Sequence, residues 1–136
     1  MNTRDLVDLE YRVMEMLLAG DRDILSILRK QLSGISVLSR ELSGNGFYTT
    51  YSIASELSRI KGYPTFRLGD VNGTANNVEY GLGFLLYIES GSISMLEGYT
   101  YGEPWPKKLE NLKLVYSDGN QRDLGKIEEI LKTSEA

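Results

Sequence analysis

The segment 78–106 constrains the fold more than any other part of this chain. Two long apolar runs in it flank the pair Ser90-Gly91, an arrangement that predicts a β-hairpin with a two-residue turn. Counting back from that turn places Phe84 opposite Glu97. Because side chains alternate between the two faces of a strand, this register predicts Glu97 on an otherwise apolar face. A shift of one residue would change these pairs.

A carboxylate on an apolar face has to be paired, hydrogen-bonded or protonated, because burial of an isolated charge is costly. Two interpretations of Glu97 follow. In the first, Glu97 is an acid/base group or the anchor of a ligand. In the second, it lies near the strand end and accepts hydrogen bonds from backbone N–H groups or from tyrosine hydroxyls of the segment 99–106. The sequence leaves both interpretations open.

The segment that follows the hairpin combines aromatic, acidic and proline residues. Tyrosine and tryptophan are enriched in binding hot spots, and proline fixes φ, which favours an ordered segment. We therefore expect a binding surface with aromatic anchors and acidic charge partners, whose candidate residues are Glu97, Tyr99, Tyr101, Glu103 and Trp105. The alternative is that the aromatic side chains cover the end of the hydrophobic core.

Helical periodicity is found at both ends of the chain. Apolar residues at helical spacing predict one helix over residues 6–17 and a second over residues 24–32, with Gly20 between them and Asp21 as the N-cap of the second. The same spacing in residues 124–131 predicts a terminal helix. The chain is therefore expected to begin with a helical hairpin and to end with a helix.

Between these helices the hydrophobic period changes to two, which predicts strands. Besides the two hairpin strands, the predicted strands cover residues 36–42, 47–53, 64–71 and 112–116, and Asn72-Gly73 predicts a turn. We expect an α+β fold in which helices pack on a largely antiparallel sheet of about six strands. Residues 1–136 are expected to form a single globular domain.

The absence of cysteine and histidine limits the chemistry of this chain. Without cysteine, a disulfide framework and a thiolate site are both excluded. Without histidine, Ser-His-Asp, Cys-His and HExxH chemistries are excluded as well, and the commonest transition-metal ligand is missing. We therefore expect neither a metal nor a cofactor, and the composition favours a protein without enzymatic activity.

Charge and hydropathy narrow the class of partner. The net charge is −4 and the basic residues are scattered, which disfavours nucleic acid because phosphate neutralisation needs a clustered basic face. An acidic chain suits a basic protein partner. No apolar run approaches the ~20 residues of a membrane span, so no membrane association is expected. The charged N-terminus lacks the apolar region of a signal peptide, which favours the cytoplasm.

The run GFLLYIESGSISMLEGYTYGEPWP, with the upstream SGNGFYTTY and FRLGDV, resembles a family of small uncharacterised bacterial proteins. The resemblance covers roughly residues 43–106. It implies a helical N-terminus that leads into such a hairpin, and it identifies the hairpin as the part typical of the group. No activity is established for that family, so the resemblance implies no catalytic residues.

Three functional hypotheses follow. The first is a non-enzymatic binding module, in the manner of an immunity protein, whose aromatic and acidic hairpin recognises a basic macromolecule. The second is a small-molecule pocket between the sheet and the helices with Glu97 at its floor, or a weak acid/base enzyme that uses Glu97 and a tyrosine. The third is a homodimer that forms through exposed tyrosines.

Overall fold

The chain forms two helices, then an antiparallel sheet, then a third helix. The computed structural model describes residues 1–119 and 122–135. The α+β class, the helices at both ends and the antiparallel sheet are confirmed, but the sheet contains seven strands in the described residues where six were expected. The elements are α1 (Thr3–Leu17), α2 (Asp23–Gln31), a 3-10 turn (Leu32–Gly34), β1 (Ile35–Leu42), β2 (Gly46–Ile53), β3 (Phe66–Leu68), β4 (Val71–Ala75), β5 (Val78–Glu89), β6 (Ser92–Thr100), β7 (Lys113–Tyr116) and α3 (Leu124–Glu135).

The first helix begins at a side-chain cap, whereas the second begins without one. The side chain of Asn2 accepts the backbone N–H of Asp5 at 2.9 Å and so caps α1. The predicted cap at Asp21 is wrong by one position, because Arg22 is still extended and α2 begins only at Asp23. The apolar faces of both helices are buried, as their periodicity predicts. None of the described helices combines the length and the hydrophobicity of a membrane-spanning segment.

The strands form one sheet in the order β1-β2-β6-β5-β4-β7, and β3 also pairs with β5. β3 and β4 lie one after the other along the same edge of β5. The strand is interrupted at Gly69, where a Cβ atom would lie 2.6 Å from the Leu85 side chain. The predicted third strand over residues 64–71 is thus shortened to β3, and β4 lies mostly in residues predicted to form a turn, which accounts for the seventh strand.

The predicted turn at Asn72-Gly73 is wrong, since both residues lie inside β4. Each of them pairs with β5 on one side and with β7 on the other. Gly73 is buried, and a Cβ atom there would contact Leu82 and Leu114. Pairing on both sides of the strand overrides the local preference for a turn. The chain reverses instead at Asn76-Asn77, between β4 and β5.

The β5–β6 hairpin has the predicted two-residue turn. Ser90 and Gly91 have φ values of +50° and +77°, the left-handed conformation that a tight hairpin turn requires at both positions. Glu89 lies opposite Ser92, as expected from such a turn. The prediction of the turn from the Ser-Gly pair is therefore confirmed.

The register beyond the turn differs from the prediction because of a β-bulge. Ser94 is an extra residue on β6, and the pairs that follow it are shifted by one position. Glu97 therefore lies opposite Leu85 and not opposite Phe84. Phe84 is fully buried, whereas Leu85 and Glu97 are half-buried on the other side of the sheet. The predicted pairing of Glu97 with Phe84 is therefore wrong, and Glu97 lies on the side of the sheet opposite to the buried Phe84.

A cluster of buried apolar side chains fills the space between the helices and one face of the sheet. It combines residues of α1, α2 and α3 with the inward residues of the strands. The opposite face carries half-buried side chains. We term it the outer face, and its central residues are Tyr48, Leu85, Tyr87, Met95, Glu97 and Tyr99.

A buried glutamine of α2 fixes the turn end of the hairpin. The side-chain amide of Gln31 donates to the backbone oxygens of Ser58 at 2.9 Å and of Gly91 at 3.1 Å. Its side-chain oxygen accepts the backbone N–H of Ile93 at 2.9 Å. These bonds satisfy a buried polar side chain and anchor β6, the strand that carries Glu97, to the helical layer.

An arginine that precedes α3 closes the C-terminal end of α1. Arg122 donates to the backbone oxygens of Leu17 and Ala19, both at 2.6 Å, and forms a salt bridge with Asp70 at 2.8 Å. A cation at this place satisfies the last carbonyls of the helix and interacts favourably with its dipole. The contact joins α1, the β3–β4 connection and the residues that lead into α3.

Candidate functional site

Side chains on the outer face line up in rows across the strands, because paired residues of adjacent strands point to the same side. One row contains Leu85 on β5, Glu97 on β6, Tyr48 on β2 and Glu41 on β1. Glu41 is exposed and the other three are half-buried. The row therefore places a tyrosine side chain between two carboxylates.

Two tyrosines of neighbouring strands interact with the Glu97 carboxylate. The hydroxyl of Tyr87 donates to Oε1 of Glu97 at 2.9 Å. Burial, followed by this hydrogen bond, raises the pKa of Tyr87. The charge of Glu97, with a smaller contribution from hydrogen bonding to it, raises the pKa of Tyr48. Both tyrosines are therefore protonated at neutral pH, and they lie on β5 and β2 rather than in the segment 99–106.

The charge of Glu97 has no cationic partner within the part of the chain that the structure describes. The salt bridges among the described residues pair arginine or lysine with other carboxylates, among them Glu10, Asp70 and Asp118. The neutral Tyr87 phenol holds the Glu97 carboxylate, and Arg67 contacts the Tyr87 ring without a salt bridge to Glu97 among those of the described residues. A positively charged group that approaches the outer face therefore meets an oriented anion.

Tyr99 and Tyr101 extend this group of side chains along β6. The ring of Tyr99 lies over Gly83, where a Cβ atom would collide with it, so this ring position requires glycine on β5. Tyr101 contacts Tyr99 edge to face, with ring centroids 5.5 Å apart, and is 52% exposed. We term these residues the tyrosine–glutamate cluster: Tyr48, Tyr87, Glu97, Tyr99 and Tyr101.

Arg67 packs on this cluster from β3. It pairs with Tyr87 across the β3–β5 ladder, and its guanidinium carbon lies 5.8 Å from the centroid of the Tyr87 ring. That distance is typical of a cation–π contact. The outer face thus already holds one guanidinium against a tyrosine ring.

Glu103 was a predicted charge partner, but its carboxylate binds the backbone of its own chain. One oxygen accepts the N–H of Glu79 at 2.9 Å and the other accepts the N–H of Tyr80 at 3.0 Å. Both donors lie at the start of β5. These bonds attach the segment after β6 to the neighbouring strand, a structural use of the carboxylate.

Trp105 belongs to the core side of the sheet, away from the cluster. Its ring contacts the buried Phe47 edge to face, with centroids 5.3 Å apart, and its backbone N–H donates to the oxygen of Gly44 at 2.8 Å. The indole nitrogen is buried without a hydrogen-bond partner among the described residues. The structure therefore brings Glu97, Tyr99 and Tyr101 together and separates Trp105 from them.

Sequence reasoning missed Tyr48, Tyr87 and Arg67. The alternation of β2 places Tyr48 on the side opposite to Phe47, and the same alternation places Tyr87 opposite to Leu86, so a signal for their face was present. The sequence contains no comparable signal that β2 lies beside β6 or that β3 lies beside β5. That adjacency is what brings these side chains to Glu97.

A second polar cluster is buried between α1 and the first two strands. Glu10 is only 2% exposed, and its carboxylate accepts hydrogen bonds from Arg40 at 2.7 and 3.2 Å and from the hydroxyl of Thr49. The hydrogen bond to Glu10 raises the pKa of Arg40. The hydroxyl of Tyr51 is buried beside this group without a partner among residues 1–119 and 122–135, and burial raises the pKa of Tyr51.

A groove of about 600 Å³ lies beside Tyr101. Residues of the β4–β5 hairpin line most of it, including Tyr80, which is 64% exposed. Glu97 is not among the lining residues. Because Glu97 lies on the outer face, this geometry gives no specific support to a pocket between the sheet and the helices with Glu97 at its floor.

Comparisons with known proteins assign no family to the chain. No protein-family model matches it, and neither does any curated protein or solved structure. A function for the outer face therefore has to follow from its geometry and charge.

Proposed function

We propose that this protein is a non-enzymatic binding module that presents the tyrosine–glutamate cluster to a basic protein. The observation that supports the proposal is the environment of the Glu97 carboxylate. It is half-buried, it is held by the Tyr87 hydroxyl at 2.9 Å, and it pairs with no cation of the described chain. A charged group that is already oriented loses little conformational entropy when a partner binds, which favours affinity.

The tyrosines of the cluster supply the contact area that such binding needs. Tyrosine offers a large and rigid surface with few rotatable bonds, and it is enriched among the residues that contribute most to binding energy. Tyr101 is 52% exposed, and the exposed Tyr80 lies across the neighbouring groove. Closer to the carboxylate, Tyr87 and Tyr48 supply rings that offer apolar surface and also carry hydroxyl groups.

The charge of the chain supports a basic partner. The net charge is −4, and Glu41 adds an exposed carboxylate to the row that contains Glu97. Complementary charge increases the association rate and the specificity of a complex more than its affinity. An immunity protein that covers a basic partner is one form that such binding takes.

A quantitative pull-down from native lysate tests this proposal. The bait variant Glu97→Gln/Tyr101→Ala removes the charge and one exposed ring of the cluster. The matched control Glu15→Gln/Tyr11→Ala makes the same two changes on the exposed surface of α1, where Tyr11 is 41% exposed. We expect a basic protein that the wild type and the control retain and that the cluster variant loses by about tenfold or more.

Circular dichroism and thermal unfolding of each bait establish that a lost partner does not reflect a lost fold. Raising the salt concentration should weaken retention, because exposed charges are screened over about 10 Å at 0.1 M ionic strength. Retention that is equal for the two double variants, or that does not change with salt, contradicts the proposal.

A further inference from the structure

We infer that the basic partner places an arginine side chain over the ring of Tyr48, between Glu41 and Glu97. This inference rests on the proposed function and names the chemical group that the outer face recognises. Tyr48 pairs with Glu97 on one side and with Glu41 on the other, so one tyrosine ring is flanked by two carboxylates along a single row.

The dimensions of the sheet suit a guanidinium at this place. Neighbouring strands are about 4.8 Å apart, so the backbones that carry Glu41 and Glu97 are separated by about 10 Å with the tyrosine midway. A guanidinium is planar, covers a ring face and carries five N–H donors along its edges. One group can therefore stack on the ring and donate to carboxylates on both sides. A lysine ammonium is compact and strongly hydrated and does not match this shape.

The chain contains an intramolecular version of the same arrangement. The guanidinium carbon of Arg122 lies 5.7 Å from the centroid of the Tyr116 ring, and two of its nitrogens donate to the Asp70 carboxylate at 2.8 and 3.0 Å. An arginine that stacks on tyrosine and pairs with a carboxylate is thus a stable arrangement in this protein. At Tyr48 the ring and the carboxylates are present, but no arginine of the described chain stacks on the ring.

The adjacent row shows that the outer face accepts a guanidinium. Arg67 packs on Tyr87, whose hydroxyl donates to Glu97, so an arginine already lies one row from Tyr48 on the same surface. Neither Glu41 nor Glu97 forms a salt bridge within residues 1–119 and 122–135. Two carboxylates without a salt bridge and one half-buried ring are complementary in charge and shape to one further arginine.

An NMR titration with a short peptide tests this inference. The probe is acetyl-Gly-Arg-Gly-amide, added to protein with isotopically labelled tyrosine rings. We expect the Tyr48 ring signals to shift and the arginine side-chain protons to move upfield, because they enter the shielding region above the ring. The citrulline peptide has the same shape without the charge, and we expect it to bind about fivefold more weakly or worse. The lysine peptide should also bind more weakly than the arginine peptide.

Substitutions then assign the contacts. Tyr48→Phe keeps the ring and should retain binding, whereas Tyr48→Leu should abolish the upfield shift. Glu41→Gln/Glu97→Gln should weaken binding about fivefold or more, and Glu15→Gln/Glu56→Gln, which removes the same charge elsewhere, should leave it within about twofold.

Absence of binding, equal binding of the citrulline peptide, or wild-type binding by Tyr48→Leu each overturns the inference. The proposed function is judged separately by the pull-down. If a basic protein is lost with Glu97→Gln/Tyr101→Ala while the arginine peptide fails to bind, the binding module stands and the arginine inference fails.

Discussion

Two glutamates of this chain lie in polar clusters that differ in whether a cation of the described chain pairs with the carboxylate. Glu10 is buried between α1 and the sheet, where the Arg40 guanidinium and the Thr49 hydroxyl occupy its carboxylate. Glu97 is half-buried on the outer face, where the Tyr87 hydroxyl binds its carboxylate at 2.9 Å. Both carboxylates are oriented, but of the two only Glu10 forms a salt bridge within the residues that the structure describes.

This difference separates a structural carboxylate from one that is available for recognition. A buried charge has to be paired internally, because no solvent and no partner can reach it. A carboxylate that is held by neutral donors keeps its charge and remains attractive to an external cation. Geometry around each glutamate therefore predicts opposite outcomes: loss of a partner at Glu10 should affect stability, and loss of Glu97 should affect binding.

The largest effect is expected when Arg40 is removed from the buried cluster. Arg40→Met leaves the Glu10 carboxylate buried without its cation, so we expect the free energy of unfolding to fall by about 3 kcal/mol, the low end of the range for broken buried pairs. The low end applies because the Arg40 side chain is still 19% exposed. Urea denaturation measures this change.

Lys126→Met is the matched control, because it removes an exposed pair with Asp118. Exposed pairs contribute little, so the loss should be much smaller. Adding Glu10→Gln to Arg40→Met should restore part of the lost stability, since the stranded charge disappears with it. If Arg40→Met and Lys126→Met lower the free energy of unfolding equally, the buried salt bridge contributes no more to stability than an exposed one.

A smaller effect is expected at Glu103, which resembles Glu10 in that its own chain occupies its carboxylate. Glu103→Ala removes the acceptor for two backbone N–H groups, and we expect a loss of about 1–2 kcal/mol, because water can reach these donors. Hydrogen exchange at Glu79 and Tyr80 should become faster. Glu89→Ala, at an exposed position of the same hairpin, is the control. A loss of partner binding at unchanged stability would assign Glu103 to recognition instead.

The next effect has the opposite sign and concerns Tyr51. Its hydroxyl is buried without a partner among the described residues, so Tyr51→Phe should raise the free energy of unfolding at neutral pH by about 1 kcal/mol. A decrease of similar size would indicate that the hydroxyl forms a hydrogen bond after all. Chemical denaturation at pH 7 decides between the two.

The pH dependence of stability provides a second test of the buried cluster around Glu10, through Tyr51. Burial raises the pKa of Tyr51 in the folded state, so the folded protein keeps this proton at a pH where the unfolded chain has lost it. The stability that depends on this proton is complete below pH ~10 and falls above it by about 1.4 kcal/mol per pH unit until the folded-state pKa of Tyr51 is reached. Tyr51→Phe should reduce that slope. A smaller slope remains, because the pKa values of Tyr87 and Tyr99 are also raised.

The parts of this fold that could be predicted from sequence are those with local causes. The helical stripes give α1 and α2, and the Ser90-Gly91 pair gives the hairpin turn, because each depends on residues that are close in sequence. The Ser94 bulge had no such signal, and it moved Glu97 to the other face. Asn72-Gly73 carried a strong turn signal, which pairing with β5 and β7 overrode.

The candidate site was predicted only in part, because some of its contacts depend on strand pairing between residues that are distant in sequence. Tyr99 and Tyr101 lie near Glu97 because they are near it in sequence, whereas Tyr48 reaches Glu97 through the pairing of β2 with β6. Trp105 packs on the core because of the path that the chain takes after β6, and amino-acid composition does not predict this path. Sequence thus identified the strand that carries Glu97 and Tyr99 of the candidate site, but not the neighbouring strands that supply Tyr48 and Tyr87.

The smallest effect on stability is expected at Glu97, and it is the most informative. Glu97→Gln keeps an oxygen that can accept the Tyr87 hydroxyl, and the position is half-buried, so we expect the free energy of unfolding to change by less than about 0.5 kcal/mol. Retention of the proposed basic partner should nevertheless fall, since the charge through which we propose that it binds is lost. A loss of stability as large as that of Arg40→Met would show that Glu97, like Glu10, is a structural carboxylate. That result would contradict the proposal that the outer face is a recognition surface.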